Sequence, residues 1–165
     1  MTTPSDTTYP LGQLLTPQTI RLRVSAADRL EVVQQAGALL VASGGVEERY
    51  ITAMNQVLAT LGPYMVIVPG VALLHARPED GAKRLCMSLL TLDPPVPFGN
   101  PDNDPVTVAF ALAAADNESH IKALAQLAAL LGDEKAMIAI RAATSVDAVL
   151  ASVSSAAAEQ AGVQS

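Results

Sequence analysis

The chain of 165 residues contains two histidines, His75 and His120, and each lies where a predicted strand ends. His75 follows the short apolar run 65–68, which Pro69 and Gly70 close, and His120 follows the longer apolar run 107–115. In layered α/β folds the ends of interior strands meet at one edge of the sheet. We therefore expect the two imidazoles to share a site.

The chemistry that suits such a pair is phosphoryl transfer. A neutral imidazole has a lone pair on one nitrogen that can attack phosphorus, while a hydrogen bond steadies the other nitrogen. His75 fits this nucleophilic role. His120 falls in the first turn of a predicted helix, where unpaired N–H groups and the helix dipole favour an anion over an imidazolium. Its predicted role is to stabilise the phosphoryl group.

Arg77 is a third candidate, because a guanidinium two residues after His75 matches the oxygens of a phosphoryl group. A solvated loop arginine is the alternative. The aspartates Asp80, Asp102 and Asp104 could orient an imidazole, but aspartates in Pro- and Gly-rich turns usually have local roles. They are therefore left out of the predicted catalytic set.

A metal site is not predicted. Zinc sites take roughly three or four protein ligands, whereas this chain has two histidines and a single cysteine, Cys86, inside a predicted strand. With one cysteine no intrachain disulfide can form, so Cys86 is expected to be a structural thiol in a reducing cytoplasm.

The apolar periodicity predicts alternating strands and helices. The predicted strands cover 20–24, 65–68, 85–92 and 107–115, and the predicted helices cover 28–42, 46–61, 119–131, 135–143 and 146–153. A turn or loop is expected to carry the chain from Gly70 to His75. The segment 94–101 is also predicted as a loop, because proline cannot donate to a ladder.

These elements predict a single layered α/β domain, with a mixed β-sheet flanked by helices on both sides. The domain is expected over residues 14–153, between a flexible N-terminal arm (1–13) and a frayed C-terminal tail (154–165). Strand order and direction stay open at this point.

Charge and hydropathy exclude several functions. The net charge of -6, with scattered basic residues, argues against a nucleic-acid partner and suits a basic protein partner. No stretch approaches the roughly 20 apolar residues of a spanning helix, so no direct membrane insertion is expected. Residues 1–12 lack the features of a signal peptide, and the predicted location is the cytoplasm.

Three segments resemble the enzyme IIA domains of the sugar phosphotransferase system. They are GPYMVIVPGVALLHARPEDG (62–81), VPFGNPDNDPV (96–106) and AAADNESHIKAL (113–124). The resemblance is to the mannitol, fructose and ascorbate class (type 2), and HARPEDG and NDPV are most similar to ascorbate-type members. It extends roughly from Leu14 to Val153.

The resemblance implies a phosphotransferase with a phosphohistidine intermediate. The phosphocarrier protein HPr would phosphorylate His75, which would pass the group to a cysteine of enzyme IIB. His120 matches the second histidine of the family site. Sugar uptake would follow through a membrane permease that takes part indirectly, and the similarity to ascorbate-type members implies an ascorbate-like sugar. No cofactor is implied. The alternative is a regulatory, phosphorylatable module that controls a transcription regulator or a transporter.

One position departs from the family pattern. Many relatives have proline immediately before the active histidine, whereas this chain has Leu74. We expect the loop to be less rigid as a result. Because transfer needs the acceptor nitrogen in line with the phosphorus, a looser loop is expected to slow the reaction.

Overall fold

The structure is a computed structural model that describes residues 11–164. Its helices are α1 (Leu11–Leu14), α2 (Arg29–Ala42), α3 (Arg49–Leu61), α4 (Asn117–Leu131), α5 (Glu134–Ala142) and α6 (Val146–Gln164). Its strands are β1 (Ile20–Val24), β2 (Val66–Val68), β3 (Val71–His75), β4 (Cys86–Val96) and β5 (Val106–Ala113). Residues 1–10 of the predicted arm lie outside the described range, and the last three residues of that arm belong to α1.

The strands form one mixed sheet in the order β1-β4-β5-β3-β2. Strand β1 is parallel to β4, and β3 is parallel to β5. The β4–β5 and β2–β3 pairs are antiparallel. Because β3 and β5 run the same way side by side, their carboxyl ends lie at the same edge of the sheet.

Helices cover both faces of this sheet, which confirms the predicted fold class. Successive strand residues point to opposite faces, and in β3 this alternation separates two apolar clusters. Ala72 and Leu74 pack in the cluster that contains the buried faces of α2 and α3. Val71 and Leu73 pack in the cluster that contains the buried faces of α4, α5 and α6. The sheet is thus the middle of three layers.

Aspartates fix where three helices begin. The side chains of Asp28, Asp116 and Asp133 accept hydrogen bonds from N–H groups in the first turns of α2, α4 and α5. The Asp116 carboxylate lies 2.7 Å from the Ser119 nitrogen. Such a cap satisfies an N–H that the helix itself cannot pair. It also sets the start of α4, and with it the position of His120.

The predicted turn or loop before His75 is wrong, because residues 71–75 form β3. The turn is confined to Pro69 and Gly70, and Gly70 has a φ of 78°, a conformation that glycine adopts without strain. After this turn the chain returns antiparallel to β2 and pairs with β5 on its other side. His75 is therefore the last residue of an interior strand.

The predicted loop at 94–101 is also partly wrong, because Pro94 and Pro95 lie within β4. They occur where the pairing with β5 shifts register, between Thr91 and Val96, and after the last β1 partner, Leu92. Neither neighbouring strand pairs with the two prolines, so their missing N–H groups cost no ladder bond.

Several helix boundaries differ from the predictions by one or two residues, and two of them differ by three residues or more. The second predicted helix begins at Arg49 instead of Val46, because Val46 pairs in a β-bridge with Ala82. The last helix, predicted to end at Val153, continues to Gln164. Within residues 11–164, no helix is both long enough and apolar enough to cross a membrane.

Candidate functional site

The two histidines lie side by side at the carboxyl edge of β3 and β5, although His75 ends β3 and does not follow the run 65–68 from which its position was predicted. His75 ends β3 and pairs with Leu112 of β5, and β5 leads through Asp116 into α4, which carries His120. The centroids of the two imidazole rings are 5.8 Å apart, and the ring planes are inclined by 47°. This distance is short enough for both rings to contact one small group.

A hydrogen bond within β3 sets the tautomer of His75. Its Nδ1 lies 3.0 Å from the carbonyl oxygen of Leu73. A carbonyl oxygen can only accept, so Nδ1 carries the proton and donates it. The lone pair is consequently on Nε2. The ring is only partly buried, which suits a nucleophile that must meet a partner.

His120 lies in an environment that favours the neutral ring. Its pKa is lowered, first by burial and then by repulsion from the protonated form of His75. Its Nδ1 is buried and has no hydrogen-bond partner within the described part of the chain. The backbone N–H of His120 donates to the Asp116 carbonyl at 3.2 Å, so the ring lies in the opening turn of α4, where the helix dipole also disfavours a cation.

A tyrosine hydroxyl supports the backbone at this edge, and the sequence analysis did not single it out. The Tyr50 hydroxyl accepts a hydrogen bond from the N–H of Ala76 at 2.9 Å and donates one to the carbonyl of Leu112 at 2.8 Å. An aromatic residue in the apolar stripe of a helix indicates only a core position. Nothing in the local sequence shows where its hydroxyl points.

Comparison with known proteins places this chain in a family. Residues 13–156 match the family model of the phosphoenolpyruvate-dependent sugar phosphotransferase system, EIIA 2. The chain belongs to the EIIA 2 family. It is a component of a sugar phosphotransferase system, and EIIA components are phosphotransferases.

Similar members of the EIIA 2 family include ascorbate and mannitol proteins. The ascorbate-specific EIIA component of Escherichia coli strain K12 is 39% identical over 134 residues, which cover 81% of this chain and 87% of that protein. The solution structure of the mannitol-specific cryptic enzyme IIA of Escherichia coli has a TM-score of 0.80 and 33% identity, covering 88% of this chain and 99% of the other.

A third similar structure is a complex. In the complex of enzyme IIAMTL and phosphorylated enzyme IIBMTL from Escherichia coli, the matched chain has a TM-score of 0.76 and 28% identity. The match covers 86% of this chain and 99% of that one.

In this EIIA 2 family member Arg77 does not join the imidazole pair. Its side chain is exposed, and in residues 11–164 no hydrogen bond or ion pair connects it to either imidazole. Its backbone N–H donates to the carboxylate of Asp80 at 3.0 Å. The role of its guanidinium stays a prediction.

Two of the aspartates left out of the catalytic set have local roles, as predicted. Asp80 holds the short turn after His75 through the backbone of Arg77. The Asp104 carboxylate accepts backbone N–H groups from three consecutive residues, 98–100, and so organises the loop between β4 and β5. In the described residues, no group of three or more His, Cys, Asp and Glu side chains is arranged to hold a metal.

The expected loss of rigidity at Leu74 is wrong, because this residue lies in a strand. Leu74 is fully buried, faces the α2–α3 layer and pairs with Ala111 of β5. Ladder pairing and core packing therefore hold the residue before His75, as proline would in a loop. The effect of the leucine on the rate of transfer stays a prediction.

An apolar groove adjoins His75. It lies between the β2–β3 hairpin and α4, has a volume of about 530 Å³, and its walls include Ile67, Leu73, Leu124 and Leu131. Ile67 is 42% exposed at its rim. Apolar surface beside a polar reactive group is typical of a surface that meets another protein.

Proposed function

We propose that this protein relays a phosphoryl group in the cytoplasm, from phosphorylated HPr to enzyme IIB, through Nε2 of His75. The observation that carries the proposal is the contact between Nδ1 of His75 and the Leu73 carbonyl. It assigns the proton of the neutral ring to Nδ1, so that the lone pair is on Nε2, next to the ring of His120.

Each transfer exchanges one bond to phosphorus for another. In the first step Nε2 attacks the phosphorus, the nitrogen–phosphorus bond of phosphorylated HPr breaks, and the departing imidazole keeps its electron pair. The new phosphohistidine retains its proton on Nδ1, where the Leu73 carbonyl accepts the hydrogen bond. In the second step a thiolate of enzyme IIB attacks the phosphorus, and Nε2 recovers its lone pair.

His120 stabilises the oxygens of the group in transit. A buried N–H without a partner is rarer in proteins than a buried acceptor without one, so the unpartnered Nδ1 is best unprotonated. The proton is then on Nε2, which can donate to a phosphoryl oxygen. The exposed guanidinium of Arg77, two residues from His75, is proposed to help hold the same oxygens.

The partners and the sugar are proposed from the relatives. A similar chain was solved in complex with a phosphorylated enzyme IIB, and the apolar groove beside His75 offers a surface for such a protein. The similarity to an ascorbate-specific EIIA component supports an ascorbate-like sugar. The membrane permease of the system would take part only through enzyme IIB.

The test is phosphorylation by HPr. Incubation with labelled phospho-HPr should add one acid-labile phosphoryl group, and phosphorus–nitrogen couplings in NMR should place it on Nε2 of His75. Enzyme IIB should then remove the label. His75→Ala should fold but take no label. A wild-type chain that stays unlabelled while a known EIIA is labelled, or a label that persists in His75→Ala, would contradict the proposal.

A further inference from the structure

Tyr50 has a fully buried hydroxyl that forms hydrogen bonds only with backbone atoms in the described part of the chain. A tyrosine hydroxyl has one proton to donate and two lone pairs to accept with. Here it accepts from the Ala76 N–H at 2.9 Å. Its proton has two carbonyls in reach, that of Leu112 at 2.8 Å and that of Ala76 at 3.2 Å, and the shorter contact is to Leu112.

The two backbone groups that the hydroxyl joins belong to the immediate surroundings of the nucleophile. Ala76 directly follows His75, and Leu112 is the residue of β5 that pairs with His75. The hydroxyl therefore bridges β5 and the residue that follows β3, and so contributes to the spacing of the two strands where β3 ends. Tyr50 itself comes from α3, on the opposite face of the sheet from α4, which carries His120.

This spacing controls the His75 ring, because the ring is bonded to its own strand through Nδ1 and the Leu73 carbonyl. A movement of the end of β3 would carry the ring with it. His120 would not follow, since it lies on α4, and this helix begins at a separate cap, Asp116. The 5.8 Å separation of the rings thus depends on where β3 ends.

We propose that Tyr50 is a positioning residue for phosphoryl transfer, whose hydroxyl holds the end of β3 so that His75 presents Nε2 towards the phosphoryl donor. The inference rests on the proposed relay function of His75. Phenylalanine would fill the same volume, but it would leave the buried Ala76 N–H and Leu112 carbonyl without the hydroxyl. Those groups would then have to shift to find other partners.

Burial raises the pKa of Tyr50 to about 12. The hydroxyl therefore keeps its proton across the working pH range, and it can accept from Ala76 and donate to Leu112 at the same time.

The experiment compares Tyr50→Phe with two matched controls. Tyr64→Phe removes a hydroxyl from a residue that is 80% exposed. Ser88→Ala removes a buried hydroxyl that donates to the Ala36 carbonyl at 2.9 Å, from β4, two strands away from His75 in the sheet. The second control measures the effect of losing a buried hydrogen bond away from the site.

Two properties are measured on each folded variant. The first is single-turnover transfer from phospho-HPr, separated into the maximal rate and the HPr concentration for half-maximal rate. For Tyr50→Phe we expect a roughly ten-fold lower maximal rate at an unchanged half-saturating concentration, because misplacing the acceptor by a fraction of an ångström is costly. The second is the pair of ¹⁵N shifts of the His75 ring without HPr, which should change because the ring moves relative to His120.

The inference is overturned if Tyr50→Phe keeps the wild-type maximal rate and nitrogen shifts, or if it is no slower than Ser88→Ala. The nitrogen shifts need no HPr, so they test Tyr50 even if the wild-type chain takes no label and the relay proposal itself fails. If Tyr50→Phe does not fold, the rate of hydrogen exchange at the Ala76 amide of the wild-type protein is measured instead. Strong protection supports the inference, and exchange at the rate of an unstructured amide overturns it.

Discussion

Replacing His120 with alanine is expected to slow phosphoryl transfer to His75 about 10- to 150-fold. The two rings are 5.8 Å apart, and the lowered pKa of His120 keeps it neutral, so it contributes one N–H donor rather than a full charge. A hydrogen bond to a charged group contributes about 1.5–3 kcal/mol. A factor of ten in rate corresponds to about 1.4 kcal/mol. The loss of this hydrogen bond therefore lowers the rate about 10- to 150-fold.

The same substitution should leave stability nearly unchanged. Alanine removes a buried Nδ1 that has no partner in the described structure, which relieves a desolvation cost, but it also removes the packing of a partly buried ring. These contributions oppose each other, and we expect the free energy of unfolding to change by less than about 1 kcal/mol. Slower transfer at unchanged stability would show that His120 acts in phosphoryl transfer and is not needed for folding.

The assay is rapid-quench transfer from labelled phospho-HPr, with chemical denaturation of the same samples. His120→Gln should recover part of the rate, because its amide keeps an N–H donor. The control is Ile121→Ala, the next residue along α4, which is 65% exposed and should transfer at the wild-type rate. Wild-type transfer by His120→Ala, or slow transfer that parallels a loss of folded protein, would refute the reasoning.

Two further predictions concern stability. Because the pKa of His120 is lowered in the folded chain, the unfolded chain binds this proton more readily. The contribution of the neutral ring to the free energy of unfolding is therefore complete above the ordinary pKa of about 6.5 and is lost as the pH falls below it. The free energy of unfolding, measured with denaturant at pH 7.5 and at pH 5, should differ less between the two pH values for His120→Gln than for wild type. An equal difference would contradict the lowered pKa of His120. Gly45→Ala should cost about 1–3 kcal/mol by overpacking, because its new Cβ would overlap Sγ of Cys86. Calorimetry should show that Cys86→Ala relieves part of this cost, and additive effects of the two substitutions would contradict the overlap. Gly44 is the control, because it has a φ of 80° and open space around it. Alanine at Gly44 should cost about 1–2 kcal/mol from backbone conformation alone, with no coupling to Cys86→Ala.

The two histidines meet as predicted, but the strand that carries one of them was not recognised. His120 follows the run that forms β5, whereas the run 65–68 used to place His75 forms β2, which is antiparallel to β3 and ends at the opposite edge of the sheet. The run 71–75 is apolar up to His75 and follows a Pro-Gly turn, which is a hairpin signal. The prediction nevertheless assigned these five residues to the turn, although a run of this length is typical of a buried strand.

The prolines of β4 illustrate a different limit. A proline is excluded from a strand only if a neighbouring strand needs its N–H. At Pro94 and Pro95 the β1 pairing has ended at Leu92 and the β5 pairing shifts register. Which neighbours a strand has at each residue is a property of the whole sheet, so the local sequence could not show that these prolines are tolerated.

Periodicity, capping residues and residue type predicted the fold class, most of the helices and the two histidines, because each of these signals acts over a few neighbouring positions. The tertiary structure alone decided that β3 lies parallel to β5, that the Nδ1 of His75 meets the Leu73 carbonyl, and that the hydroxyl of Tyr50 reaches Ala76 and Leu112. Tyr50 is 62 residues from Leu112 along the chain. Contacts over such separations exist only once the sheet and its layers have assembled.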